Sequence, residues 1–119
     1  MIINEYKNIK FNIGKDANDN WYMLDIFSKI NNKYIWFHLN SFSSPYVIME
    51  FCKDDLEKKY TKDEIIDILN YGSNLCKNNS KYKFLKDIKV IYTSLNKLKK
   101  TDKIGEVIIS GKKNLLSLH

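Results

Sequence analysis

The sequence predicts an α+β fold: a single domain with a largely antiparallel sheet and two principal helices packed on it. Three observations lead there. Segments of period-two apolar alternation are interleaved with segments of the 3.6-residue helical period. One Pro and four Gly among 119 residues leave little chain for structureless linkers. A hydrophobic share of 44% and an aromatic share of 13% provide one core at a one-domain length, so residues 1–119 are read as one unit.

Each element has its own justification. Ile2–Tyr6 is expected as a strand, followed by Ile9–Ile13, where Ile9, Phe11 and Ile13 share a face and Gly14 ends the run. Met23, Ile26, Phe27 and Ile30 then follow i, i+3, i+4, i+7 spacing, which predicts a helix capped by Asp16, Asn18 or Asp19. Tyr34–Leu39 returns to alternation, with Ile35, Phe37 and Leu39 on one face and Tyr34, Trp36 and His38 on the other. Tyr46–Phe51 is the next strand. Thr61 and Glu64 form a capping box that opens a helix with Ile65, Leu69, Gly72 and Cys76 on one stripe, and Asn78–Ser80 close it. Asp87–Thr93 alternates again. Glu106–Ser110 and Leu115–Leu118 are expected to pair as a hairpin with Gly111-Lys112-Lys113-Asn114 at its tip.

Several function classes drop out. Cys52 and Cys76 are too few and too widely spaced for a disulfide framework or a metal knuckle, and are expected as free core thiols. No ligand set for a metal is expected, because His38, Cys52 and Cys76 lack suitable spacing, and no cofactor is implied. Glu5, Lys7 and Lys10 interrupt any secretory leader, and no apolar run approaches a membrane span. A cytoplasmic protein with no membrane contact is expected.

Charge is more informative by position than in total. All 20 basic residues are Lys, within a net charge of +6. Residues 1–80 hold 10 Lys against 11 acidic residues, whereas residues 81–119 hold 10 against 3. Lys-rich surfaces attract phosphate and release counterions on binding. Without Arg, the bidentate reader of guanine edges is missing, which favours backbone gripping over base reading.

Three constellations carry candidate chemistry. Gly14-Lys15-Asp16 lies between a strand and a helix, where backbone N–H groups and Lys15 could hold a phosphate. It lacks the second Gly and the Lys-Ser/Thr of a Walker loop, and an ordinary turn with Gly at positive φ is the stronger reading of the spacing. Trp36 and His38 share a strand face that would stack bases if exposed; otherwise Trp36 fills the core and His38 bonds backbone. Lys97, Lys99, Lys100 and Lys103 form a basic run, joined by Lys112 and Lys113 if the two loops meet; a solvated charge run is the competing reading. One internal His with no partnered nucleophile does not build an active site, so no enzyme is expected.

The ordered series Gly14-Lys15, Asn18-Asp19-Asn20, Trp36-Phe37-His38, Ser43-Ser44-Pro45-Tyr46-Val47, Val90-Ile91-Tyr92-Thr93, Leu98-Lys99-Lys100-Thr101 and Gly105-Glu106-Val107 resembles the NFACT-R domain family over about residues 9–118. Ser43-Ser44 and Asn96–Thr101 look most like its eukaryotic coiled-coil-domain-containing relatives, and a domain without their coiled coil is expected. The family usually has His where Tyr46 stands, and an acidic residue near Tyr34 and Ile35. The resemblance implies RNA binding, with transfer or ribosomal RNA and the ribosome as candidate partners and DNA as the alternative nucleic acid. At 119 residues a complete ribosome quality-control factor is not expected. The site expectation is a phosphate grip by Lys15, Lys97, Lys99, Lys100 and Lys103, with Lys112 and Lys113 on the hairpin tip and His38 and Tyr46 as polar or stacking contacts. The competing expectation is an adaptor that docks on acidic or ribosomal protein through the same lysines.

Overall fold

The computed structural model describes residues 1–118. Six strands form an antiparallel sheet in the order β1 (Ile2–Tyr6), β2 (Ile9–Ile13), β4 (Val47–Cys52), β3 (Tyr34–Leu39), β5 (Ile88–Ser94), β8 (Asn114–Leu118). Helix α1 (Ala17–Ile30) connects β2 to β3. A short helix α2 (Lys53–Lys59) and the long α3 (Lys62–Asn78) connect β4 to β5. After β5, a 3-10 turn (Leu95–Lys97) leads into a separate two-stranded ribbon, β6 (Leu98–Lys100) with β7 (Val107–Ile109). The expected α+β architecture is present, with the two long helices on opposite faces of the sheet.

Strand alternation explains that division. Ile9, Phe11, Ile13, Ile35, Phe37 and Leu39 face α2 and α3, where Leu56, Ile68 and Cys76 complete one core. Trp36, Ile48 and Ile91 point the other way and meet Met23, Leu24 and Phe27 of α1, with Val107 and Ile109 of the ribbon beside them. Both faces are covered, so the strands are buried on alternate residues in both directions. The β1–β2 link is a two-residue turn with Lys7 (φ 51) and Asn8 (φ 64) both left-handed, the geometry that matches strand twist. The capping box of α3 is formed: Glu64 N–H donates to Thr61 Oγ1 (3.3 Å) and Thr61 N–H to Glu64 Oε1 (3.0 Å). Asp16 caps α1, accepting from Asp19 N–H at 2.8 Å.

Three expectations are corrected. Ile30 is exposed rather than part of the buried stripe of α1, which runs through Asn20, Met23, Leu24 and Phe27. Helix α2 was not foreseen, because Lys53–Lys59 is mostly charged and buries only Leu56. The hairpin of Glu106–Ser110 with Leu115–Leu118 does not form: β7 pairs with β6, and β8 pairs with β5. Val107 and Ile109 pack on the Trp36 core, while Leu116 and Leu118 belong to the opposite core. The two runs serve different faces, so Lys112 and Lys113 lie on a crossing connection and not on a hairpin tip.

Candidate functional site

Four connections meet at one end of the sheet: the β2–α1 turn, the β3–β4 loop, the segment after α3 and the β6–β7 loop. They enclose a cleft of about 820 Å³. The sheet supplies its base through Trp36, His38, Tyr46 and Ile91, and Lys15, Lys81 and Lys103 line it from three of the connections. All three lysines are exposed.

The β2–α1 turn and the start of β4 are tied into one knot. Gly14 N–H donates to Tyr46 O (3.0 Å), and Tyr46 N–H donates to Asn20 Oδ1 (3.1 Å). A Cβ on Gly14 would sit 1.9 Å from that Asn20 oxygen, so glycine is needed for close approach. Gly14 is not among the positive-φ residues, which corrects the conformational reading of this turn. Carboxylates already occupy nearby donors: Asp19 accepts from Lys15 N–H (2.9 Å) and Asp16 from Asp19 N–H. An anion at this turn therefore meets the Lys15 side chain in preference to the helix end.

Tyr46 extends the knot to the ribbon. Its hydroxyl donates to Gly105 O at 2.6 Å. Gly105 has φ +87 and packs so tightly on α1 that a Cβ would come 2.6 Å from Ala17 Cβ. The Tyr46 ring is 1% exposed and stands edge-on to Trp36 and His38. The expected stacking role of Tyr46 is corrected on that ground: the ring is buried and the hydroxyl is occupied, so it fixes the shape of the cleft. Trp36 is likewise core, stacked on His38 at 5.5 Å.

His38 is half-buried, with Nδ1 2.8 Å from Leu39 O. A carbonyl only accepts, so Nδ1 carries a proton. Burial pulls the His38 pKa below its ordinary 6.5, against the carbonyls of Leu39 and Ser44, which favour the charged ring. The ring is therefore neutral at pH 7. Ser44 Oγ accepts from Leu39 N–H (3.1 Å) and lies 3.2 Å from Pro45 O and 3.3 Å from Cys76 Sγ. It pins the β3–β4 loop. Among the described residues no group of three or more His, Cys, Asp or Glu could hold a metal.

The remaining predicted lysines lie elsewhere. Lys100 Nζ pairs with Asp25 at 2.7 Å and sits 4.9 Å from the centre of the Trp21 ring, so its charge is already engaged. Lys99 is exposed on β6. Ser110 N–H donates to Lys97 O (2.8 Å), which brings the Lys112–Lys113 connection beside Lys97, as required for a joint patch. These lysines lie toward the Ser94 end of β5 and do not line the cleft, which extends from Leu39 past Ile91 and Trp36 to Ile109. Sequence reasoning missed Lys81; the alternation Lys81-Tyr82-Lys83-Phe84 was the signal available.

The arrangement defines a small α+β domain with a cleft lined by Lys15, Lys81 and Lys103 together with Asp16 and Glu106. Its sequence matches the NFACT protein RNA binding domain over residues 4–116, and the chain belongs to that family. No curated protein matches it. Among solved structures it is similar to the C-terminal part of the fibronectin/fibrinogen-binding protein from Streptococcus suis. The TM-score is 0.72 at 20% identity, over 92% of this chain and 40% of that one, a likeness of fold.

Proposed function

We propose that the domain binds RNA by its phosphate backbone in the cleft, gripped by Lys15, Lys81 and Lys103. The observation that carries this reading is the convergence of three exposed lysines, from three separate connections, on one cleft. Membership of a family described by its RNA binding supports the choice of polyanion. Lys97, Lys99, Lys112 and Lys113 add long-range attraction, and Lys100 serves chiefly as a tie to α1. We assign the role as binding and not catalysis on the Ser44 hydroxyl, which is spent on the loop and leaves His38 without a partnered nucleophile. On the family resemblance, the module serves an RNA of translation within a cytoplasmic, ribosome-linked quality-control setting.

Titration of a short RNA across a salt series tests this. The variant Lys15→Ala/Lys81→Ala/Lys103→Ala is expected to bind more weakly and to lose about 2 from the slope of log K against log salt, at roughly 0.7 per phosphate contact on a single strand. An unchanged slope in a folded variant would remove the cleft from the interface. Saturable binding to an acidic polypeptide, with none to RNA, would establish the adaptor reading instead.

A further inference from the structure

The segment after α3 holds one aromatic ring, Phe84, in water and a second, Tyr82, half-buried at the cleft. Ser80 Oγ donates to Lys77 O (2.7 Å) and accepts from Tyr82 N–H (3.1 Å), anchoring the segment to the helix end. Leu85 N–H donates to Tyr82 O (3.0 Å), which closes a β-turn with Lys83 and Phe84 at its corners. Turn corners favour Gly, Asn, Asp and Ser, for backbone reasons that Phe does not share. Phe84 is 83% exposed there, with Lys83 Nζ 5.2 Å from its ring centre. It contributes almost nothing to the core. Tyr82 continues the surface inward: its ring lies 4.7 Å from that of Phe42, and both residues line the cleft.

We propose that Phe84, Tyr82 and Phe42 form a stacking surface for unpaired bases of single-stranded RNA entering the cleft. This rests on the RNA-binding reading and names its substrate class. Lys81, Lys83 and Lys86 alternate with the rings, so phosphates and bases of one strand meet complementary groups along the same short path. Rings exposed on a fixed turn take bases that are free to splay out, whereas bases within a duplex are already stacked. Phe offers no hydrogen bond to a base edge, so the surface tolerates any sequence.

Binding of a single-stranded oligouridylate and of a fully paired RNA duplex should be measured for the wild type, Phe84→Ala and Phe84→Trp. Phe84 packs on no core, so its variants keep the fold. Phe84→Ala is expected to weaken single-strand binding roughly 10-fold with an unchanged salt slope. Duplex binding should stay as it was, and Phe84→Trp should restore affinity. Equal affinity of Phe84→Ala and wild type for the single strand overturns the stacking surface while leaving the lysine cleft in place. Equal losses on single strand and duplex overturn it as well. Failure of the wild type to bind either RNA removes the underlying reading with it.

Discussion

At the scale of single residues, burial decides which groups carry charge. Cys76 is fully enclosed, and burial pushes its thiol up to about 12, so it packs as a neutral side chain. His38 follows the same physics with a consequence for stability. Burial holds its folded pKa below the ordinary 6.5, so the unfolded chain binds a proton more readily. His38 therefore favours the folded state above pH 6.5, and that contribution is lost as the pH falls through the lower folded value. Denaturant midpoints measured from pH 7.5 down to about 5 should fall more steeply for the wild type than for His38→Gln, which cannot titrate. Parallel curves would mean that His38 is solvated. The sequence showed that His38 and Trp36 share a strand face, but not that α1 and the ribbon cover it. Exposure depends on partners distant in the chain, and alternation does not identify them.

At the scale of elements, local signals were read well and pairing partners less well. The capping box at Thr61 and Glu64 and the alternation of Tyr34–Leu39 depend on neighbours in sequence, and both are realised. The hairpin expected across Gly111 depends on which face each strand covers, a non-local choice. The ribbon that replaces it is held over the Trp36 core partly by the Tyr46 hydroxyl on Gly105 O. Tyr46→Phe keeps the ring and removes that bond, leaving the Gly105 carbonyl without this partner. The expected cost is about 1 kcal/mol. Hydrogen exchange should accelerate at residues 98–109 more than in β2, β3 or β4. Uniform acceleration across the domain would show that Tyr46 stabilises the whole core and has no special hold on the ribbon.

At the scale of the whole molecule, the basic excess of residues 81–119 was legible in the sequence, but its division between two places was not. Lys81 and Lys103 reach the cleft, while Lys97 and the Lys112–Lys113 connection sit toward the Ser94 end of β5 and do not line it. Ile91, the β5 residue that lines the cleft, lies three residues and about 10 Å from Ser94. The screening length is about 8 Å at physiological ionic strength and about 30 Å at 0.01 M. That cluster, which does not line the cleft, therefore acts on RNA there more strongly when salt is low. With an oligonucleotide of about six residues, short enough to stay in one groove, Lys97→Ala/Lys112→Ala/Lys113→Ala should lower affinity several-fold at 0.01 M and leave it within about twofold at 0.15 M. The cleft variant should lose affinity at both. If the Ser94-end variant loses as much as the cleft variant at 0.15 M, the RNA lies along the Ser94 end, and Lys97, Lys112 and Lys113 are its direct contacts.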